Sequence, residues 1–509
     1  MRGLNRETMF HYLAAFCYRN PGLTGLNILR AMPALFRVEP KRIRPEAQIM
    51  DLIYPLRAVS IACGTLTILA LYLFARWRFG WRVALLAALL LAVSPWHLLY
   101  SRVGYRTILA PLFAIATLAA FLRALESRRL RDHLSWGTLA GPGLWTYTSF
   151  RAIPLALAAF LVARRLAAWR ATREPEAIRP WLAAAGVMGA IALILVVFSP
   201  LSLRGFLERG AYATLSPQAR HGTDLLHALT MINYLPARYA VVQSKEFISD
   251  GVATTYGLIG LPPETMVTAA LATLGLLYAA WRAARQRDAA CGLLVLAFLV
   301  LSLTVGLAGP SPTRLLLNLP WLCLFAALVA WRLFDDLAAL RPPLTAGVAA
   351  AALLGLSGAA CAQGYGQYFL KAGRSDEAMQ NFGPVQTIMG LFVRSLPPGQ
   401  EIYVLHTLRV DTLQYLIGNR PEVHLVTDPG SLDYEAIGRL PRTVTFVVEY
   451  VRAFAEPMRL LVMHHPEGDM SQVADARLDP DKTIFFTFTL WKDESGQPMP
   501  PPGTPRPPS

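Results

Sequence analysis

Long apolar runs separated by short, arginine-rich loops fill the first 365 residues of the chain. A run of about 20 apolar residues is long enough to cross the hydrocarbon core of a bilayer as a helix. Runs that approach this length lie at 57–76, 82–100, 106–124, 133–148, 151–166, 180–200, 264–282, 289–308, 314–332 and 343–362. The pattern therefore predicts a polytopic α-helical membrane protein, with a transmembrane bundle of about ten helices over residues 57–365.

The loop arginines predict the orientation of this bundle. Alternate loops carry 17 arginines, whereas the short loops on the other side carry four, namely Arg102, Arg106, Arg151 and Arg314. Because cytoplasmic loops are enriched in arginine and lysine, the first set of loops is expected in the cytoplasm. We therefore expect a multi-pass protein of the cell inner (plasma) membrane, with a long loop at 201–262 and all residues after 365 outside the cytoplasm.

This orientation makes residues 1–56 the first extracytoplasmic loop, because the first predicted helix must then cross inwards. The apolar stretch Met9–Cys17 is short and is interrupted by His11, so it is not typical of an export signal. We therefore expect one further transmembrane helix upstream of Met1.

Beyond residue 365 the pattern changes from long apolar runs to short segments. β-branched residues predict strands, and the segments between them predict helices. The predicted order is strand 401–406, helix 411–417, strand 442–449, helix 452–464 and strand 483–491. Strands that alternate with helices indicate a small α/β domain, which we assign to 366–495. The proline-rich end of the chain, 496–509, is expected to be a disordered tail.

The composition excludes an ordinary soluble enzyme and a disordered chain. Hydrophobic residues make up 54% and charged residues 16% of the sequence, whereas soluble domains carry about 25% charged residues. The net charge of +15 comes mainly from loop arginines, so we expect membrane lipids as partners and no nucleic acid.

Motifs for metal, disulfide or nucleotide binding are not found in the sequence. The five cysteines form no C-x-x-C pair, His464 and His465 have no third ligand at metal spacing, and no phosphate-loop motif is present. We therefore expect the cysteines to be packing residues, and we expect no bound metal and no cofactor.

Three stretches of the sequence resemble a known family of membrane enzymes. They are Ser94–Arg106 (SPWHLLYSRVGYR), Gly143–Arg151 (GLWTYTSFR) and Pro312–Arg314 (PTR). They resemble the GT-C superfamily of glycosyltransferases, in particular bacterial relatives of protein O-mannosyltransferase and aminoarabinose transferase. The resemblance implies a GT-C-like bundle with an extracytoplasmic C-terminal domain. It also implies transfer of a sugar from a polyprenyl-phosphate donor to an acceptor on the outer face of the membrane, which could be a protein, a lipid or a cell-wall polymer.

The same resemblance implies a catalytic acid, an Asp usually followed by Glu, early in the first outer loop. No Asp-Glu pair stands near the start of this chain, and Arg6–Leu13 resembles the segment that follows such a pair. The expected acid therefore lies upstream of Met1. Within the chain, Glu7 is the candidate that its position suggests.

The four outer arginines, Arg102, Arg106, Arg151 and Arg314, are candidates for binding the donor phosphate. A guanidinium group forms two parallel hydrogen bonds to a phosphate and stabilises the charge of the leaving group. The alternative is that they snorkel to lipid headgroups or pair with loop carboxylates.

Three side chains near the same helix ends, His97, Tyr100 and Tyr147, are candidates for a donor or acceptor pocket. For each of them the alternative is anchoring at the membrane interface or packing in the bundle.

Two other functions remain open from the sequence alone. A catalytically inactive GT-C-like protein could act as a binding or assembly partner. A secondary transporter or lipid flippase is disfavoured, because the apolar runs carry charges almost only at their ends and show no internal repeat.

Overall fold

The computed structural model describes residues 49–102, 105–170, 177–197, 264–307, 312–340, 342–371, 384–406, 413, 416–418, 420–426, 428, 430, 432–449, 454–474, 483–493 and 495–500. These residues belong to two compact units, the first within 50–373 and the second within 374–509. The predicted outer loops at 1–48 and 201–262 lie outside the described residues, and so does Glu7.

The first unit is a bundle of helices whose bounds follow the predicted apolar runs. They are α1 (Ile49–Phe79), α2 (Trp81–Val93), α3 (Pro95–Arg102), α4 (Leu109–Ser127), α5 (Leu130–Gly143), α6 (Ala152–Arg170), α7 (Arg179–Val197), α8 (Met266–Arg285), α9 (Ala289–Leu307), α10 (Pro312–Leu315), α11 (Leu319–Leu340) and α12 (Pro342–Tyr365). The 3-10 turns Arg106–Ile108, Thr148–Arg151 and Leu316–Asn318 lead into α4, α6 and α11, and a π-helical turn, Gly366–Lys371, continues α12.

Membrane-crossing helices are present, as predicted. Among the described residues, five helical segments are long and apolar enough to cross a membrane: Arg57–Phe79, Arg106–Ser127, Thr148–Arg170, Met266–Arg285 and Thr313–Ala339. The pair α2 and α3, bent by 62°, makes a sixth if it crosses as one span. The chain is therefore a multi-pass membrane protein, and the count of ten spans stays a prediction.

Two predicted boundaries in this unit are wrong. Helix α1 begins at Ile49, inside the segment 1–56 that was assigned to a loop. The run predicted at 82–100 is broken at Ser94, which is extended (φ −60°, ψ 127°). Pro95 explains the break, because a proline disfavours helical backbone in the residue before it.

Helix α11 lies at the centre of the bundle. Its first half, Leu319–Ala330, is buried, and the helix packs against α2, α8 and α12. Gly275 of α8 touches the backbone of α11, since a Cβ at this position would lie 1.9 Å from the Phe325 carbonyl oxygen. Small residues permit such close approach between helices in membranes, where dispersion contacts hold helices together.

The second unit is an α/β domain with one mixed sheet. Its elements are α13 (Pro384–Ser395), β1 (Glu401–Leu405), β2 (Val423–Val426), α14 (Tyr434–Gly438), β3 (Val444–Glu449), α15 (Ala455–His464), β4 (Asp469–Ala474) and β5 (Thr483–Leu490). The strand order is β2-β1-β3-β5-β4. Strand β1 is parallel to β2 and β3, whereas β5 is antiparallel to β3 and β4.

Each face of this sheet carries its own apolar core, because successive side chains of a strand point to opposite faces. Leu405 and Phe446 pack on the face covered by α14 and α15. Ile402 and Val404 pack on the other face, against Met389 of α13. The predicted fold class, a polytopic helical membrane protein with a C-terminal α/β domain, is confirmed.

The sequence predicted three of the five strands. Strands β1, β3 and β5 match the predictions, and α15 matches the predicted helix 452–464. The edge strands β2 and β4 were missed, because β2 has only four residues and β4 is rich in polar residues. The predicted helix 411–417 lies largely outside the described residues.

The predicted limits of the α/β domain need two corrections. The π-helical turn Gly366–Lys371 belongs to the first unit and not to the domain predicted from residue 366, and the described chain resumes at Pro384 in the second unit. Residues 496–500 of the predicted disordered tail are ordered, since Lys492 bridges to Pro498 and the Met499 amide donates to the Trp491 carbonyl oxygen at 3.0 Å. Residues 501–509 lie outside the described part of the chain.

Candidate functional site

The structure brings the three family-like stretches together at one end of the bundle. The Tyr147 hydroxyl, just before the 3-10 turn that leads into α6, lies 2.8 Å from the Thr313 hydroxyl of α10, and this hydrogen bond is buried. The rings of Tyr105 and Tyr147 are 6.4 Å apart. The Arg106 guanidinium carbon lies 5.7 Å from the Tyr105 ring and 5.8 Å from the Tyr147 ring.

Arg102 lies against a different pair of rings. It is the last residue of α3, and its guanidinium carbon is 5.6 Å from the Tyr368 ring and 5.4 Å from the Phe369 ring. Both rings come from the π-helical turn that follows α12. We call the region formed by Arg102, Tyr105, Arg106, Tyr147, Thr313, Tyr368 and Phe369 the aromatic end of the bundle.

Close packing fixes the turn that carries Tyr147. A Cβ at Gly143 would lie 2.2 Å from Cζ of Phe150, so this glycine is needed where α5 ends. The Trp145 indole donates to the Ala192 carbonyl oxygen of α7 at 3.1 Å, and the Thr146 hydroxyl donates to the Gly143 carbonyl oxygen at 2.7 Å. The stretch Gly143–Arg151 therefore acts as a rigid corner between three helices.

The other predicted donor-binding arginines flank the Tyr147–Thr313 hydrogen bond in sequence. Arg151 ends the 3-10 turn Thr148–Arg151, and Arg314 directly follows Thr313. Arg106, Arg151 and Arg314 are all half-buried. The fold thus gathers the backbone positions of these three arginines around one buried contact, while their role in binding phosphate stays a prediction.

The predicted pocket residues His97 and Tyr100 are buried in α3. The Tyr100 ring is 1% exposed and lies 6.3 Å from the Tyr105 ring, which connects it to the aromatic end. The His97 amide donates to the Ser94 hydroxyl at 3.3 Å, and His97 Nε2 lies near Gly64 of α1. The described contacts of His97 therefore point into the bundle, and its pocket role stays a prediction.

Comparison with known proteins gives one family match and several similar structures. Residues 47–203 match the model of the family described as dolichyl-phosphate-mannose-protein mannosyltransferase. The structure of ArnT from Cupriavidus metallidurans bound to undecaprenyl phosphate is 15% identical, covers 95% of this chain and 88% of that chain, and has a TM-score of 0.52. The apo state of the same protein is 14% identical, covers 86% and 83%, and has a TM-score of 0.50.

This chain resembles the GT-C glycosyltransferases in fold. The oligosaccharyltransferase of Archaeoglobus fulgidus in its apo form is 14% identical, covers 92% of this chain and 66% of that chain, and has a TM-score of 0.49. The chain spans 58% and 60% of the length of two other structures of this archaeal protein. No curated protein matches the sequence.

The opposite end of this GT-C-like bundle holds arginines that pair with carboxylates. We call it the carboxylate end, and its pairs are Arg78–Glu126, Arg82–Asp335, Arg123–Asp132, Arg282–Asp288 and Arg332–Asp336. The pair Arg282–Asp288 is the most buried of those with an ordinary geometry, with 2.7 Å between Nη2 and Oδ2. These arginines belong to the loops that the sequence places in the cytoplasm.

One carboxylate of the GT-C-like bundle differs from the rest. Among the six carboxylates of the first unit whose side chains the structure describes, Glu264 has no arginine within ion-pair distance. It precedes α8, is fully buried, and accepts a hydrogen bond from the Cys323 thiol at 3.2 Å. Buried ionisable groups in a membrane bundle are costly. Glu264 therefore differs from the other five carboxylates, which each lie beside an arginine.

Cysteines and metal ligands complete the chemistry of the described residues. Cys63, Cys291 and Cys323 are buried and Cys361 is half-buried. Within the described ranges, no group of three or more metal-ligating side chains occurs.

Sequence reasoning did not single out four residues of the aromatic end. Tyr105 and Thr313 lie inside the quoted motifs, and their neighbours Arg106 and Arg314 were named, so the motif signal covered them. Tyr368 and Phe369 lie in no motif. Nothing in the sequence links them to Arg102, because that contact depends on how α12 returns to α3.

Proposed function

We propose that this membrane protein is a glycosyltransferase that moves a sugar from a polyprenyl-phosphate donor to an acceptor on the outer face of the plasma membrane. The observation that carries the proposal is the buried Tyr147–Thr313 hydrogen bond at 2.8 Å. It joins two family-like stretches, and Arg106 of the third stretch lies on the Tyr147 ring. Three separate parts of the sequence thus supply arginines to one region.

The chemistry of these arginines suits a phosphate. A guanidinium beside an aromatic ring keeps its positive charge and carries its N–H donors in a planar fork. Two such N–H groups match two phosphate oxygens and stabilise the negative charge that the carrier phosphate gains when the sugar leaves. We assign this role to Arg102, Arg106, Arg151 and Arg314, with His97, Tyr100 and Tyr147 lining the pocket.

The similar proteins support this class of donor. The family matched by residues 47–203 is described as dolichyl-phosphate-mannose-protein mannosyltransferase, and ArnT has been solved with undecaprenyl phosphate. Both lipids carry a phosphate on a polyprenyl chain. We extend this donor class to the present chain and leave the acceptor as a protein, a lipid or a cell-wall polymer.

Transfer to a hydroxyl or amine also needs a carboxylate that removes the acceptor proton. The family resemblance implies an Asp for this step, and Glu7 is the candidate within the chain. A chain that lacks this acid would bind the donor without turning it over, which is the alternative of an inactive GT-C-like binding or assembly partner.

Binding of undecaprenyl phosphate to the full chain in lipid nanodiscs tests the donor site. Each of the four arginines is replaced by alanine in turn, and Arg332→Ala at the carboxylate end is the matched control. Charge-assisted hydrogen bonds contribute about 1.5–3 kcal/mol, so we expect Arg106→Ala to weaken binding about tenfold to a hundredfold. Arg332 is 54% exposed and pairs with Asp336, so the control should bind like the wild type.

The outcomes separate the proposals. Unchanged affinity in all four variants would overturn the donor site. Weakened binding together with sugar transfer in native membranes supports the enzyme. Weakened binding without any transfer, from a chain that includes its natural N-terminus, supports the inactive partner instead.

A further inference from the structure

Two aromatic side chains far along the sequence hold the guanidinium of Arg102. Arg102 ends α3 and is exposed. The Tyr368 and Phe369 rings lie 5.6 Å and 5.4 Å from its guanidinium carbon. A cation within about 6 Å of an aromatic face is attracted by the electrons of the ring.

The two rings form a defined surface and not a chance contact. Their centroids are 4.9 Å apart and their planes stand at 87°, so one ring meets the edge of the other. The Tyr365 ring, one turn earlier, lies 4.9 Å from Phe369 and extends the row. Phe369 stays 40% exposed, so this row is not buried as a core.

The backbone that presents the rings is unusual. Gly366–Lys371 is a π-helical turn, and such turns are rare and occur frequently at functional sites. Regular α-helix ends at Tyr365, so the π-helical turn sets where the next side chains project. The turn thus brings two consecutive rings to the same guanidinium.

We propose that Tyr368 and Phe369 are positioning residues for Arg102 in donor binding. This inference rests on the proposed function, because it takes the donor phosphate as the ligand of Arg102. The rings act through Arg102 and need not touch the donor themselves.

The physical reason is the freedom of a long side chain. An exposed arginine loses much rotamer freedom when it binds a phosphate in one geometry, and this loss weakens binding. The rings restrict the side chain before the donor arrives. The rings hold the side chain without neutralising its charge, so the guanidinium still attracts a phosphate.

The Arg102 environment supports this arrangement. No carboxylate among the described residues lies within 4 Å of its guanidinium, whereas each named arginine of the carboxylate end has one. A carboxylate would occupy the N–H groups that a phosphate needs. Aromatic rings attract the cation without neutralising it, so the positive charge of Arg102 remains for the ligand.

The experiment measures the Kd of undecaprenyl phosphate for the full chain in nanodiscs. The double variant Tyr368→Leu/Phe369→Leu keeps apolar side chains and removes both aromatic faces. Since an exposed cation–π contact corresponds to about a twofold to fivefold effect, we expect binding to weaken about fivefold to thirtyfold. The single exchange Phe369→Tyr keeps both rings and the Tyr368 hydroxyl that contacts Arg102, and should bind like the wild type.

A double-mutant cycle shows whether the rings act through Arg102. The leucine pair is repeated in an Arg102→Ala background, where it should change the Kd less than twofold. A structural effect on the donor site would persist in that background. Leu370→Ala is the matched control, because Leu370 lies in the same turn and is 55% exposed.

Each result has one meaning. If Arg102→Ala weakens binding but the leucine pair does not, the positioning role is wrong and the donor site stands. If the leucine pair weakens binding equally with and without Arg102, the role is again wrong, because the rings then act independently. If Arg102→Ala leaves binding unchanged, the assignment of Arg102 to the donor fails as well.

Discussion

The two ends of the bundle differ in the partners of their arginines. At the carboxylate end, five arginines lie beside Asp or Glu side chains. At the aromatic end, Arg102 and Arg106 lie over tyrosine and phenylalanine rings. Rings also lie beside Arg78, Arg82 and Arg282, so the ion pairs, and not the rings, distinguish the carboxylate end.

The presence or absence of a carboxylate partner determines whether an arginine can bind an anion. A carboxylate neutralises the charge and takes the N–H groups, so the arginine becomes a structural tie between helix ends. An aromatic ring attracts the positive charge without neutralising it, so the charge can still attract an anion. The first arrangement suits stability and the second suits binding.

The largest expected effect comes from a substitution at Gly143, which lies next to the aromatic end. A Cβ at Gly143 would lie 2.2 Å from the buried Phe150 ring, next to the turn that carries Tyr147. Overpacking of this kind costs about 1–3 kcal/mol, so Gly143→Ala should lower the free energy of unfolding by that amount and also weaken undecaprenyl phosphate binding. Thermal unfolding in detergent and the nanodisc Kd measure the two effects.

Gly292 of the carboxylate end is the matched control for this substitution. A Cβ there would lie 3.6 Å from its nearest neighbours, which is ordinary contact, and the residue lies within α9. Alanine favours helix over glycine by about 1 kcal/mol, so Gly292→Ala should keep or raise stability without changing the Kd. Equal effects of both substitutions on donor binding would contradict the comparison.

A smaller effect is expected from Asp288 at the carboxylate end. Its Oδ1 accepts from the Ala290 and Cys291 amides at 3.0 and 3.1 Å, and its Oδ2 accepts from Arg282 at 2.7 Å. Loss of a helix cap costs about 1–2 kcal/mol, so Asp288→Ala should lower the melting temperature and leave donor affinity unchanged.

The substitution Asp288→Asn separates the cap from the ion pair. Asparagine caps helices as well as aspartate does, so this variant should lose less stability than Asp288→Ala. If instead Asp288→Ala weakens donor binding as strongly as Arg106→Ala does, the two ends are not functionally distinct.

The smallest effect concerns the pH dependence of the carboxylate end. The Ser127 hydroxyl, and after it the Arg123 guanidinium at 3.5 Å, lower the pKa of Asp132 below its ordinary value of 3.8. A lowered pKa in the folded state means that the ionised carboxylate stabilises the fold above pH 3.8 and that this contribution is lost as the pH falls below that value. The melting temperature, measured between pH 6 and pH 3, should therefore decrease less steeply with falling pH for Asp132→Asn than for the wild type.

The sequence predicted the parts of the fold that depend on local composition. Apolar runs of membrane-spanning length gave helices such as α4 and α8, and β-branched segments gave β1, β3 and β5. It missed the edge strands β2 and β4, whose residues alternate too weakly to signal a strand. It also placed the end of the ordered chain too early, because the ordering of Pro498 depends on a bridge to Lys492.

For the candidate site, the motifs located Arg106 and Tyr147 but not their partners. The contact between Tyr147 and Thr313 joins positions 166 residues apart. No local pattern encodes such a contact, since it follows from the packing of α6 and α10. The roles of Arg151, Arg314 and His97 in donor binding remain predictions.

The sequence by itself determined that this chain crosses a membrane repeatedly, that its arginines are divided between two kinds of loop, and that an α/β domain follows. These properties depend on how far successive residues prefer lipid to water, which each segment decides for itself. The tertiary structure alone decided which arginines pair with carboxylates and which rings lie against Arg102. That choice arises where helix ends distant in sequence come together, because α12 packs beside α2 and the π-helical turn after it meets α3.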